Sequence, residues 1–167
     1  MNTLLRIPFD QAARAPAPGR ARPLRRILVV DDESYIRQFS TVVLRHSGYA
    51  VETAEDGAAA WDALQLNRYD LLVTDNNMCR LTGIGLIRKL HAARMALPVI
   101  LVSGAMPTDE LNRHPWLPIA ATLLKPFTTV ELLSTVRQIL SVADDARAQR
   151  YPPATAAVEE PALAACA

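Results

Sequence analysis

Five polar side chains in this chain of 167 residues stand directly behind apolar runs, and their types suit work on a phosphoryl group. Ile27-Leu28-Val29-Val30 runs into Asp31 and Asp32, Tyr69–Thr74 into Asp75, Pro98–Val102 into Ser103, and Ala120–Leu124 into Lys125. Short aliphatic and β-branched runs of this length read as strands of a parallel sheet, buried on both faces. Ligands of such sheets sit outside the strand carboxyl ends. The five side chains would therefore meet in one crevice.

Their charges constrain what else belongs there. Three carboxylates a few ångströms apart repel one another. At roughly 5 Å and an effective dielectric of about 20, each pair costs on the order of 3 kcal/mol before screening. Two cations suit the offset, the Lys125 ammonium and a divalent ion. An all-oxygen site with open positions favours Mg2+, which keeps several waters and binds through one or two carboxylates plus phosphate oxygen. A carboxylate beside such a centre is a nucleophile toward phosphorus and forms an acyl phosphate. The Ser103 hydroxyl and the Lys125 ammonium would then donate hydrogen bonds to the phosphoryl oxygens.

The intervening sequence supplies the scaffold. Between the strands the apolar period becomes that of helices. Glu33–Ser47 places Ile36, Phe39 and Val43 at i, i+3 and i+7, and Gly48 is its C-terminal stop. Tyr49–Ala54 reads as a second strand, ending in Glu55 and Asp56, which the expected strand order leaves outside the cluster. Gly57–Asn67 reads as a helix with Ala60, Ala63 and Leu64 toward the sheet, and Gly83 opens another that carries Leu86, Ile87 and Leu90. Thr108–Arg113 has room for a turn or two, because Pro115 and Pro118 stop it from growing. Thr128 caps a last helix bearing Leu132, Leu133, Val136, Ile139 and Leu140. Trp61 and Trp116 are expected to be packing residues. Strand–helix repeated five times predicts an α/β domain: a doubly wound, five-stranded parallel sheet with helices on both faces and a short or irregular fourth helix.

Composition sets the boundaries. Residues 1–23 hold four prolines and a single acid, Asp10, and read as a flexible Arg-, Pro- and Ala-rich arm. The ordered domain spans 24–142, and the Ala- and Pro-rich 143–167 reads as a tail. An apolar content of 50% suits one folded core. A formal net charge of +1 gives no field to draw nucleic acid or a membrane, and the Arg-rich stretch has no aromatic neighbours for base stacking. Cys79 and Cys166 lack metal-ligand or redox spacing, which suits a reducing compartment. No run reaches the roughly 18–20 apolar residues of a membrane span, and the start lacks the apolar core of a secretory signal. These features favour the cytoplasm over the faint likeness of the Arg- and Ala-rich start to an organelle transit peptide.

In this order and at this spacing, Asp31-Asp32, Asp75, Ser103 and Lys125-Pro126-Phe127 resemble the receiver domain of two-component response regulators over residues 24–142. The resemblance implies a flavodoxin-like (βα)5 fold and a signalling protein. It implies no enzyme beyond self-catalysed phosphoryl transfer and slow autodephosphorylation. Asp75 would be the phosphoacceptor, fed by a histidine kinase or a histidine phosphotransfer protein. Asp32 and Asp75 would bind Mg2+ directly, Asp31 mostly through water, and the backbone carbonyl of Asn77 would complete the protein ligands. Ser103 and Lys125 would hold the phosphoryl group, and the bond before Pro126 would be cis. The chain would act as a stand-alone receiver with no output domain, signalling through contacts with a downstream protein or as a homodimer.

The same resemblance marks departures. Cys79 stands where the family usually has proline, which should loosen the loop after Asp75. Thr122, three before Lys125, replaces the usual Tyr or Phe that switches rotamer on phosphorylation. Pro115 and Pro118 interrupt the fourth-helix region, much of the family's output and dimerisation face. Ala105 cannot hydrogen-bond an attacking water, whereas Asn77 could. None of these removes a catalytic group. The alternative is a receiver-like interaction module that is never phosphorylated, and the five intact strand-end residues argue against it. A phosphatase or mutase would need an acid–base carboxylate two residues after the nucleophile, where Asn77 stands. A dinucleotide-binding fold would need G-x-G-x-x-G after the first strand, and none follows it.

Overall fold

The computed structural model describes residues 24–150; the arm at 1–23 and the chain beyond 150 lie outside the described residues. Five strands, β1 (Arg26–Val30), β2 (Ala50–Ala54), β3 (Leu71–Asp75), β4 (Val99–Ser103) and β5 (Ile119–Leu124), alternate with five helices. These are α1 (Ser34–His46), α2 (Gly57–Leu66), α3 (Gly83–Ala92), α4 (Thr108–Arg113) and α5 (Thr129–Arg150). The strands pair in parallel in the order β2-β1-β3-β4-β5. This is the doubly wound sheet that the strand–helix alternation predicts.

Alternate residues of each strand feed opposite cores, because successive side chains leave a strand on opposite faces. Leu28, Val30, Leu72, Val99 and Leu101 pack with Leu64 of α2 and Leu86, Ile87 and Leu90 of α3. Ile27, Val29, Val73, Ile100 and Val102 pack on the other face with Leu44 of α1 and Leu132, Val136 and Leu140 of α5. From β1 the chain steps outward to β2, then returns across β1 to β3. That reversal leaves a crevice at the carboxyl ends of β1 and β3.

Three elements differ from the sequence reading. The buried stripe of α1 runs through Ser40 and Leu44, with Ile36, Phe39 and Val43 half-buried on its flanks. The apolar i, i+3, i+7 set finds the side of the helix but not its centre, because Ser40 is polar by type. α5 continues to Arg150, eight residues beyond Val142. Ala143, Ala146 and Ala148 are strong helix formers, and Asp144 on that extension pairs with Arg25 at the entry to β1. Trp116 is 47% exposed and is not a core residue. Its ring lies against the imidazoles of His91 and His114, at centroid distances of 4.7 and 5.5 Å. Trp61, by contrast, packs half-buried on the α2–α3 core, with Lys89 Nζ 5.0 Å from its ring centroid.

The fourth helix is as short as Pro115 and Pro118 require, and none of its residues is buried. α5 opens with a capping box. Thr128 Oγ1 accepts from the Glu131 N–H at 3.2 Å, and Glu131 Oε2 accepts from the Thr128 N–H at 2.7 Å. Among the described residues no helix is long and apolar enough to cross a membrane.

Leu132, fully buried in the first turns of α5, anchors that helix to the sheet. Leu132→Ala should cost about 2–5 kcal/mol in urea-induced unfolding. Val130→Ala, at a residue 74% exposed two positions earlier, should stay within about 0.5 kcal/mol of wild type.

Candidate functional site

The backbone ladder carries each chemical residue to the crevice. The Asp31 N–H donates to the Ala54 carbonyl at 3.3 Å, the Asn76 N–H to Val102 at 2.9 Å, and the Lys125 N–H to Ser103 at 2.9 Å. β3 and β4 pair Asp75 with Val102, and β4 and β5 pair Ser103 with Leu124. The residues that end the strands are thus fixed by the same register that buries the aliphatic runs behind them.

Lys125 joins two buried carboxylates. Its Nζ lies 2.8 Å from Asp31 Oδ2 and 2.9 Å from Asp75 Oδ1, and a third contact reaches Glu33 Oε1 at 3.1 Å. Asp31 and Asp75 are each 3% exposed. The second oxygen of each is held by backbone: Asp31 Oδ1 accepts from the Glu33 N–H at 2.9 Å, and Asp75 Oδ2 from the Asn77 N–H at 2.5 Å. Asp32 is exposed beside this group, and Ser103 is buried at the end of β4. Thr122 is half-buried in β5. The Lys125–Pro126 peptide bond is cis.

The electrostatics follow from one ammonium shared among several acids. Burial alone would lower the Lys125 pKa, but hydrogen bonds to Asp31, Asp75 and Glu33 outweigh it and push the ammonium above its ordinary value. Lys125 is therefore charged at any physiological pH. Burial raises the Asp31 carboxyl above its usual 3.8, with the nearby Asp75 adding to it, and the Lys125 contact offsets this only in part. A lysine divided between partners cannot fully compensate any one of them.

The loop after β3 is held at several points. Asn76 is buried; its Oδ1 accepts from the Ile84 N–H at 3.3 Å, and its backbone oxygen from the Gly83 N–H at 3.1 Å. A Cβ on Gly83 would lie 2.2 Å from the Asp75 carbonyl oxygen, so only glycine permits this approach. Arg80 has a left-handed φ of 61°, a conformation that costs a non-glycine residue about 1–3 kcal/mol. Its guanidinium pairs with Asp56 and lies 3.4 Å from Glu55. The loop that Cys79 was expected to loosen is thus tethered one residue further on. Glu55 and Asp56 lie outside the cluster that the strand order predicts, and Arg80 and the Glu33–Lys125 contact belong to none of the motifs in the sequence. Only the fold brings β2's end beside the β3 loop. Glu33 had a visible signal, an acid directly following Asp31-Asp32.

The donor set fits a hard divalent cation. Asp31, Asp32, Glu33 and Asp75 bring four carboxylates and Lys125 one ammonium; with the Arg37 guanidinium on the Asp31 backbone carbonyl, two negative charges remain. Among the described residues no three His, Cys, Asp or Glu side chains are grouped as a complete metal cage. Mg2+ does not need one, since it is held by one or two carboxylates together with oxygen donors and retained water. The residues present match that requirement and no soft-metal one.

Fold and site define a class: a flavodoxin-like α/β domain with an acidic crevice and one lysine at its switch point. The chain belongs to the response regulator receiver domain family, whose model matches residues 27–137. It is 38% identical over 117 residues to the response regulator MprA of Mycobacterium sp. (strain KMS), covering 69% of this chain and 50% of that protein. It thus spans about half the length of the curated relatives it matches. A Francisella response regulator receiver domain superposes with a TM-score of 0.66 at 29% identity, covering 71% of this chain and 98% of that one. TrrA of Thermotoga maritima, solved in complex with Mg2+–BeF, gives 0.63 at 28% identity, covering 70% of this chain and 99% of that one.

The raised Asp31 pKa has a consequence for stability. A carboxyl that holds its proton more tightly folded than unfolded weighs against the fold above its folded pKa, and that cost fades as pH falls toward 3.8. In the absence of divalent ions, Asp31→Asn should be more stable than wild type at neutral pH. The difference should narrow as pH falls toward 4, as measured by urea unfolding at successive pH values.

Proposed function

We propose that this receiver accepts a phosphoryl group on Asp75 from a phosphohistidine of a histidine kinase or phosphotransfer protein, with Mg2+ as cofactor. The observation that carries the reading is Lys125 Nζ held between the buried carboxylates of Asp31 and Asp75. An Asp75 oxygen forms the new O–P bond as the P–N bond of the donor breaks, and the electron pair leaves with the imidazole. The product is an acyl phosphate. Mg2+, held by Asp32, Asp75 and the Asn77 carbonyl, with Asp31 reaching it through water, would neutralise the phosphoryl oxygens. Lys125, already 2.9 Å from Asp75, supplies one fixed positive charge to the incoming group, and the Ser103 hydroxyl supplies a donor.

Signalling then proceeds through protein–protein contacts in the cytoplasm with a downstream protein or a second copy of the chain. Phosphorylation adds charge at a point where Lys125 is already divided among three acids, so it redistributes those contacts. That redistribution is the physical signal. Thr122 lacks the ring through which relatives are expected to transmit it, so the read-out differs from theirs.

Incubation with a small phosphodonor and Mg2+ should add one acid-stable, base-labile phosphoryl group by intact mass, and Asp75→Asn should gain none. Omitting Mg2+ should reduce labelling at least tenfold. Equal labelling of both proteins, or of neither, would sink the assignment.

A further inference from the structure

We infer that Arg80 is a positioning residue: it latches the phosphoacceptor loop to the N-terminus of α2 and so fixes the Asn77 carbonyl beside Asp75. The inference rests on the reading of Asp75 above and concerns how its surroundings are held.

Asp56 is the anchor. It is 4% exposed, and it caps α2 by accepting the Ala58 and Ala59 N–H groups on Oδ1 at 2.8 and 2.9 Å. Its other oxygen, Oδ2, is taken by the Arg80 guanidinium. Burial alone would raise its pKa, but the Ala59 and Ala58 amides and Arg80 outweigh it and hold the carboxyl below its usual range. The anchor is therefore charged at neutral pH. A second contact lies beside the first: the Leu81 carbonyl oxygen would be 2.4 Å from a Cβ on Gly57. Loop backbone and helix N-terminus are thus in direct apposition.

The arginine reaches Asp56 from a backbone conformation that disfavours it, with φ of 61°. A strained residue persists where its surroundings over-determine it, and the buried carboxylate supplies that determination here. At its far end the loop is fixed by Gly83 and Ile84 bonding to Asn76. Asn77 lies between the two attachments, three residues before Arg80. With Cys79 in place of the family's usual proline, the ion pair restrains the loop in place of a rigid ring.

The test separates side chain from backbone. Arg80→Gly keeps the left-handed conformation at low cost and removes the charge, whereas Arg80→Lys keeps the charge. Two measurements apply to each: amide hydrogen exchange over residues 76–83 without Mg2+, and the Mg2+ concentration for half-maximal labelling by a small phosphodonor. Arg80→Gly should speed exchange in the loop and raise the half-maximal Mg2+ concentration, each by at least fivefold, with the labelling plateau unchanged. Arg80→Lys should recover most of both. Exchange and Mg2+ dependence that match wild type in Arg80→Gly would overturn the latch, as would an Arg80→Lys no better than Arg80→Gly. A wild-type protein that does not label would remove the phosphoacceptor reading, and hydrogen exchange alone would then decide the latch.

Discussion

The contact on which the rest depends is the Lys125 ammonium held between Asp31 and Asp75. Two carboxylates buried at adjacent strand ends are unfavourable without a cation, and removing the lysine would leave both uncompensated, which is costly. The lysine reaches them because β5 follows β4 in the sheet and its last residue pairs with Ser103. The sheet order β2-β1-β3-β4-β5 is therefore an electrostatic requirement as well as a packing solution. It places the ends of β1 and β3 around one charge carried at the end of β5. The same geometry makes the crevice deficient in positive charge, and that deficit suits it to a divalent cation.

Much of this was legible in the chain. Aliphatic runs ending in Asp31, Asp75, Ser103 and Lys125 announce both the strands and what collects at their ends, because a strand buried on both faces has no other place to present a charge. The Thr128 cap and the shortness of α4 also follow from residue types and proline positions. What the sequence hides is contact between elements remote along the chain. Arg80 pairs with Asp56 across 24 positions, and Lys125 meets Glu33 across 92. The stripe of α1 centred on Ser40 is hidden for a different reason, since burial there depends on where the helix rests and not on the polarity of the side chain. α5 passed Val142 because alanine, which composition reads as tail, is also the strongest helix former.

The two halves of the sheet are not packed alike. Every residue of β3 and of β4 is buried, and these strands carry Asp75 and Ser103. β5 lies at the sheet edge, where only Leu123 is buried and Leu124 is 51% exposed. α4, just before it, buries nothing. Chemistry needs a rigid frame, because a displaced nucleophile or donor loses its orientation. Switching needs the opposite, elements with few buried contacts whose rearrangement costs little free energy. The buried β3 and β4 have the first property, and the β5 edge with α4 has the second.

This division bears on how the proposed phosphoryl group at Asp75 would be read without an aromatic at position 122. A rotamer switch works by moving a large ring between a buried and an exposed position, and a threonine has too little surface for that. Lys125 offers another route, since it is bonded to Glu33 at the N-cap of α1 as well as to the two aspartates. Two residues on, the Phe127 ring meets that of Phe39 of α1 at a tilt of 52° and a centroid distance of 6.1 Å. Under the proposed phosphorylation of Asp75, an ammonium drawn toward the phosphoryl group would weaken its Glu33 contact. The change would then reach the α1 side of β5, where the Phe39 and Phe127 rings meet, and not the position that Thr122 occupies.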